Sequence, residues 1–214
     1  MISIKSEREI ELLRQAGRIV HETREYLKPF IKEGITTKEL DTLAEEFILS
    51  KGATPSFKGL NDFPCATCIS INEEVVHGIP SKRKLMEHTK ESLFKGLEQI
   101  KPGNRIGDIS NAIETHAKKY KLGVVRELVG HGVGTKVHEE PDVPNFGEAG
   151  RGPVLKVGMV LAVEPMLTLG RRDICILDDD WTIETIDNSP AAHYEHTVVV
   201  TKDGYEILTG GKNG

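Results

Sequence analysis

The chain has 214 residues, of which 38% are hydrophobic and 29% are charged, and its formal net charge is −5. This length and balance are typical of one globular domain with its own core, and they argue against a chain that is disordered throughout. No apolar run approaches the roughly 20 residues of a membrane-spanning helix, and the acidic balance argues against nucleic acid, so we expect neither kind of partner.

Two amphipathic helices are predicted in the first quarter of the chain. Ser6 and Thr36 each begin an S-x-x-E or T-x-x-E sequence, the capping box that satisfies free backbone N–H groups at a helix N-terminus. Apolar residues at helical spacing follow both boxes. The first stripe ends at Pro29 and the second at Gly52, residues that terminate helices. Because the charged N-terminus has no apolar signal core, we expect a cytoplasmic protein.

This pattern recurs 69 residues further along the chain. Lys-Glu-Gly at 32–34 matches Lys-Pro-Gly at 101–103, and apolar positions of the second helix match Ile109, Ala112 and Ile113. A third helix, through residues 93–100, precedes this second copy. The repeat predicts two related halves, each with two helices before its strands.

The C-terminal third is rich in β-branched and aromatic residues, which favour strands. The predicted strands are 124–129, 159–164, 181–186, 193–200 and 205–208, and the Gly- and Pro-rich stretch 141–158 is predicted to be a long ordered loop. Helices followed by a largely antiparallel sheet indicate the α+β class. We expect a single domain over 1–214, with halves at about 1–85 and 86–214.

Three residues within or beside the apolar strands could hold a divalent cation. Glu164 and Glu195 lie among apolar residues, and His131 stands between two glycines. Burying a carboxylate costs several kcal/mol unless the group is paired or binds a metal. Strand alternation would place His193, Glu195 and Thr197 on one face. A metal site and a pairing of the glutamates with Arg or Lys both stay open.

Two more histidines and a pair of cysteines have competing interpretations. His77 and His138 precede proline-containing turns and could act beside a metal, or they could be structural, hydrogen-bonded residues. Cys65 and Cys68 form a C-x-x-C pair that enters a predicted strand at 67–71. With no second pair for zinc, and no helix start to activate a thiol, small core or pocket residues are favoured over a redox role.

As a set, these stretches resemble the bacterial-type methionine aminopeptidases. The resembling stretches are 68–80 (CISINEEVVHGIP), 130–134 (GHGVG), 138–141 (HEEP), 158–166 (GMVLAVEPM) and 194–197 (YEHT). The resemblance implies the pita-bread fold, with two pseudo-symmetric halves around a curved antiparallel sheet. It also implies a hydrolase that removes the first methionine from nascent proteins with a small second residue, and we expect the chain to be a monomer.

The resemblance also implies roles for individual residues. His131, Glu164 and Glu195 match metal ligands, and Glu164 could also act as the general base. His77 and His138 match the histidines that contact the substrate and donate hydrogen bonds at the scissile amide.

A methionine pocket is implied around Phe63, Cys68 and Trp181, with Phe57 and Leu60 nearby. Aromatic faces and a thiol suit a thioether side chain. The alternative is that the aromatic residues belong to the core.

The sequence departs from the family where two aspartate ligands are expected on a β-hairpin after the His-Gly-Ile-Pro stretch. Here the chain runs from Ser81 directly into a helix, so several dozen residues are absent near Leu85 and Met86, which shortens the first half. Asp108 and the run 178–180 do not replace the aspartates by pattern. Three ligands would hold one divalent cation (Co, Mn, Fe or Zn) rather than the family's two. The alternatives are a weakened or inactive protein that binds peptide N-termini or a protein partner, and a C-x-x-C thiol protein.

Overall fold

The computed structural model describes residues 2–32, 35–69 and 83–210. The helices are α1 (Glu7–Leu27), α2 (Thr37–Ser50), α3 (Arg83–Leu97) and α4 (Ile106–Lys119), with short 3-10 turns at Lys28–Phe30 and Leu60–Asp62. All four predicted helices are confirmed, and both capping boxes form as expected. The third helix ends at Leu97 rather than at residue 100. It also runs unbroken through Leu85 and Met86.

The strands form antiparallel sheets. They are β1 (Gly123–Val124), β2 (Gly130–Gly132), β3 (Glu139–Val143), β4 (Val160–Val163), β5 (Met166–Thr168), β6 (Ile174–Ile176), β7 (Ile183–Thr185), β8 (Ala191–His193), β9 (His196–Val200) and β10 (Tyr205–Ile207). A five-stranded sheet has the order β10-β9-β4-β2-β3, a three-stranded sheet the order β1-β5-β8, and β6 pairs with β7. The predicted α+β class is therefore confirmed.

Two predicted strands are each broken in the middle. The stretch 159–164 continues past Glu164–Pro165 as β5, and 193–200 divides into β8 and β9 around Tyr194–Glu195. In both cases the chain passes between the three-stranded and five-stranded sheets at the break. Pro165 has no N–H for a ladder and restricts the residue before it. The prediction of one continuous strand over 193–200 was therefore wrong, although His193 and Glu195 still converge on one point.

Other strand predictions need smaller corrections. The first predicted strand, 124–129, is reduced to the two-residue β1 at Gly123–Val124, and residues 67–69 are not a strand. The predicted loop 141–158 begins inside β3, and strand β6 was not predicted. These segments are short, and tertiary pairing rather than local sequence decides them.

The core lies between α3, α4 and the five-stranded sheet. Leu93 and Leu97 of α3 and Ile113 of α4 are fully buried against Leu161 and Val198 of β4 and β9. Burial of each such side chain contributes about 1.5–3 kcal/mol. This packing holds β4 and β9, the strands beside both breaks. In the described part of the chain, no helix combines the length and apolar character needed to cross a bilayer.

Helix α1 packs so closely on the residue that follows β10 that replacing Gly17 of the helix should lower the stability of the fold. A methyl group on Gly17 would collide with the carbonyl oxygen of Leu208. An ordinary Gly→Ala change inside a helix stabilises by about 1 kcal/mol. We expect Gly17→Ala instead to lower the free energy of unfolding by about 1–3 kcal/mol, because the backbone must shift.

Urea unfolding measures this effect. As a control, Ala16→Gly on the exposed side of α1 should cost about 1 kcal/mol from propensity alone. A Gly17→Ala protein more stable than the parent chain would contradict the close contact.

Candidate active site

The two strand breaks place two glutamates side by side. Glu164 follows β4 and Glu195 precedes β9, and these strands pair directly. The backbone N–H of Tyr194 donates to the Pro165 carbonyl oxygen at 3.3 Å, and the Asn145 amide donates to the Glu164 carbonyl oxygen at 3.1 Å. A carboxylate at the point where a strand leaves its sheet can reach a shared hollow rather than the closed core.

Two histidines complete this group. His131 of β2 lies opposite Ala162 of β4, and its Nε2 is 3.5 Å from Glu164 Oε1. The Nε2 of His193 is 3.3 Å from Glu164 Oε2. One ligand atom each from Glu164, His193 and Glu195 lies within 4.8 Å of the others. The structure thus brings together the three predicted metal ligands and adds a fourth candidate.

The orientation of His131 suits metal binding. Its Nδ1 lies 2.8 Å from the carbonyl oxygen of Gly132. Because that contact favours a proton on Nδ1, Nε2 is left with a lone pair facing Glu164. A backbone carbonyl behind the imidazole is a common arrangement for histidine ligands.

The electrostatics of the hollow also fit a cation. Burial and the neighbouring Glu164 charge raise the pKa of Glu195. Solvent reaches the Glu195 side chain, yet protein surrounds it on most sides, so we place it on the floor of an open hollow. Two close carboxylates repel each other, and a bound cation would relieve that repulsion. Among the residues that the structure describes, the ion-pair contacts of Glu164 are with imidazoles rather than with Lys or Arg. Two carboxylates and two imidazoles are a donor set suited to a divalent transition metal.

His138 lies beside the metal-ligand candidates. Its ring centroid is 4.2 Å from that of His131. Partial burial, followed by the charge on His131, lowers the pKa of His138. The neutral imidazole therefore prevails at pH 7 and can donate one hydrogen bond. The other predicted substrate histidine, His77, lies outside the described residues.

Three of the predicted pocket residues form one aromatic cluster. The ring of Phe63 contacts Phe57 edge-on at 5.9 Å and Trp181 at 5.0 Å between centroids. Trp181 keeps 41% of its surface exposed, which favours the wall of an open pocket over a core position. Leu60 begins the 3-10 turn that leads to Phe63. Cys68 lies near enough to Glu195 for the carboxylate charge to influence its thiol.

The Cys68 thiol should be unreactive at neutral pH. Burial, with the nearby Cys65, raises its pKa to about 11. At pH 8 only about 0.1% would be thiolate, the reactive form. Iodoacetamide at pH 8 should therefore modify exposed Cys175 much faster than Cys68, and the gap should narrow towards pH 10.

Mass spectrometry of Cys68→Ser and Cys175→Ser variants assigns the sites. Rapid labelling of Cys68 at pH 7 would support the thiol-protein alternative, which the raised pKa now disfavours.

Sequence reasoning missed His193 as a ligand candidate. Its position two residues before Glu195 was the available signal, but the break that turns both side chains towards Glu164 was not foreseen. The aspartates at 108 and 179 accept local backbone hydrogen bonds, Asp108 in the first turn of α4 and Asp179 in the loop before β7. Asp108 accepts from the N–H groups of Arg105 and Gly150, and Asp179 accepts from two N–H groups after it.

Comparison with known protein families also indicates a metallopeptidase. The model of metallopeptidase family M24 matches residues 11–89 and 80–202, almost the whole chain. The chain belongs to this family. Methionine aminopeptidase 1 of Bacillus subtilis is 46% identical to this M24 metallopeptidase over 246 aligned residues, which cover 98% of the chain and 99% of that protein.

Solved structures of methionine aminopeptidases have the same fold as this chain. Methionine aminopeptidases from Rickettsia prowazekii and Thermotoga maritima superpose on this M24 metallopeptidase with TM-scores of 0.94, at 34% and 36% identity. They cover 98% and 99% of the chain, and all of each solved chain is matched. A prolidase from Pyrococcus horikoshii, 22% identical with a TM-score of 0.71, covers 98% of the chain but only 64% of its own, and shares the fold alone. The predicted membership in the methionine aminopeptidases, the pita-bread fold and the metallopeptidase class are thereby confirmed.

Proposed function

We propose that this chain is a methionyl aminopeptidase that hydrolyses the first peptide bond of nascent proteins. The observation that carries the proposal is the convergence of Glu164, Glu195, His131 and His193 in one hollow. The family relationship supports the same reaction. We further propose that the protein acts in the cytoplasm as a monomer, on chains with a small second residue.

The ligand set we propose is His131, Glu164 and Glu195, with His193 as an addition. A divalent cation (Co, Mn, Fe or Zn) bound there would acidify water and polarise the substrate carbonyl. With two carboxylates and two imidazoles from the described residues, we assign one cation to the site rather than two.

The remaining steps belong to side chains of the chain itself. Glu164 accepts the proton of the attacking water and passes it to the leaving amine. Neutral His138 donates a hydrogen bond to the carbonyl oxygen as negative charge develops there, and we assign His77 the matching role at the amide. The aromatic cluster of Phe57, Phe63 and Trp181 holds the methionine side chain and fixes the scissile bond beside Glu164.

We infer that a segment of the family's first half is missing from this chain. The alignment with the Bacillus subtilis enzyme is 246 residues long, whereas the chain has 214. The family model also matches as two pieces that overlap at residues 80–89, around Leu85 and Met86. These observations support the loss of the two aspartate ligands and make His193 more important for metal retention.

Peptide hydrolysis tests the function. The purified chain, supplied with Mn²⁺, Fe²⁺ or Co²⁺, should release methionine from Met-Ala-Ser and leave Lys-Ala-Ser intact, and a chelator should stop the reaction.

The missing segment favours a second candidate, a protein that binds peptide N-termini without cleaving them. Calorimetric binding of Met-Ala-Ser that is insensitive to chelator, with no methionine released under any metal, would establish that alternative and overturn the enzymatic proposal.

A further inference from the structure

A second cluster of metal-binding side chains lies on the helices, outside the hollow. His88 and Glu91 are three residues apart on α3, so they share one face of the helix, and His116 comes from α4. The Nδ1 of His88 is 3.0 Å and the Nε2 of His116 is 3.3 Å from the same oxygen, Glu91 Oε2. One ligand atom from each residue lies within 4.8 Å of the others.

The packing of α3 on α4 creates this juxtaposition. Gly96 of α3 lies so close to Ile113 of α4 that an added Cβ would contact its side chain at 2.9 Å. The His88 ring is also stacked on Tyr120, with centroids 3.6 Å apart. The imidazoles are therefore positioned by core packing and ring stacking rather than by a loop, which is the preorganisation a metal site needs.

One atom of the cluster lacks a hydrogen bond. The Nε2 of His116 is buried and makes no hydrogen bond within the described residues; its polar neighbour is Glu91 at 3.3 Å. A buried polar atom without a hydrogen bond is costly. Nitrogen and oxygen ligands of a tetrahedral zinc ion lie about 3.4 Å apart, close to the spacings found here.

We propose that His88, Glu91 and His116 form a second transition-metal site that links α3 to α4. Two imidazoles and a carboxylate are donors for Zn²⁺ and for Co²⁺ or Ni²⁺. The His116 side chain is only 11% exposed, whereas Glu91 is 54% exposed, so one side stays open to water. Burial lowers the pKa of His116, which keeps its imidazole neutral and able to bind metal.

Nearby positive charges are engaged elsewhere. Lys95 donates to Glu98 at 2.8 Å, and the Lys119 ammonium lies 5.4 Å from the centre of the Tyr120 ring. The competing interpretation is a metal-free ion pair between Glu91 and protonated histidines. That pair would not respond to added zinc, whereas a metal site binds a cation and stabilises the fold by mass action.

The test is a zinc titration of the metal-stripped chain at pH 7.5, followed by calorimetry and thermal unfolding. The parent chain should bind one more Zn²⁺ per chain than the double variant His88→Gln/His116→Gln. Excess zinc should raise the Tm of the parent chain by several degrees more than it raises the Tm of the double variant. His21→Gln, which removes a histidine from α1, should behave like the parent.

Two further variants keep the outcome clear. Glu91→Gln, at an exposed position, should weaken the second binding event at least tenfold and leave methionine release unchanged at saturating metal. Glu164→Gln should lose the cation bound in the hollow but still bind zinc at His88, Glu91 and His116. Zinc binding by this variant therefore tests the helix site even if the aminopeptidase proposal fails. Equal zinc stoichiometry and equal Tm shifts in the parent and the double variant would overturn the helix site.

Discussion

Replacing Glu164 with glutamine is expected to abolish both metal retention and methionine release. The carboxylate lies between two imidazoles, 3.5 Å from His131 Nε2 and 3.3 Å from His193 Nε2. Burial, together with this charge, raises the pKa of Glu195. A neutral amide keeps the shape but removes a charged ligand and the proton acceptor. Loss of a positioned proton acceptor alone typically costs about 100- to 10,000-fold in rate.

Metal content by mass spectrometry and kcat/KM for Met-Ala-Ser measure the effect. Glu148→Gln is the matched control, because Glu148 is exposed in a loop and its loss should change neither quantity. A Glu164→Gln protein that still binds cation in the hollow and cleaves at the parent rate would remove Glu164 from the proposed machinery. His193→Gln should weaken metal binding with less effect on the reaction rate at saturating metal.

Replacing Lys5 with methionine is expected to cause a large loss of folding stability. Its ammonium lies 2.6 Å from Glu139 Oε2, with the two side chains only 4% and 15% exposed, and its backbone N–H donates to the Gly158 carbonyl oxygen. Lys5→Met leaves the partly buried Glu139 without its cation, with the Lys136 N–H as a remaining donor. Removing one partner of a fully buried pair costs about 3–5 kcal/mol, so we expect a loss of about 1–3 kcal/mol here, against a typical domain's stability of about 5–15 kcal/mol.

The pH dependence of this loss distinguishes the ion pair from simple packing. The hydrogen bond from Lys5 lowers the pKa of Glu139 below its ordinary value of 4.5. The unfolded chain therefore takes up the proton first as the pH falls. The pair's contribution is fully present above about pH 4.5 and is lost as the pH drops through the lowered pKa of the folded state.

Urea unfolding at pH 7 and at pH 3.5 should show a large gap between parent and Lys5→Met that shrinks at acid pH. Lys156→Met, at an exposed position, should stay within about 0.5 kcal/mol of the parent. Adding Glu139→Gln to Lys5→Met should recover part of the lost stability, because no buried charge is left unpaired. A gap that persists unchanged at pH 3.5 would point to packing alone.

Local signals predicted the helices well, and the strands less well. A capping box such as Ser6 with Glu9 specifies a helix start within four residues, so α1 and α2 follow from sequence. The breaks at Glu164–Pro165 and Tyr194–Glu195 depend on which sheet each half joins, which is a tertiary property. An apolar run gives no indication of such a change of partner.

The site was predictable in its residue types but not in its full membership. His131, Glu164 and Glu195 were predicted as ligands from charge in apolar surroundings and from resemblance, and the structure brings them together. His193 was missed because nothing in the sequence shows that the break turns it, together with Glu195, towards Glu164. The cluster on α3 and α4 was also invisible, since it joins residues from two helices whose contact depends on Gly96 and Ile113.

The anchoring of Lys5 has a practical consequence for handling the protein. Glu139 directly follows His138, so the opening residues of the chain brace the loop that carries this histidine. A purification tag or fusion partner attached there risks disturbing turnover, whereas one at the opposite terminus does not act on this brace. Clipping the first five residues by a contaminating protease should mimic a mutation at the reaction centre.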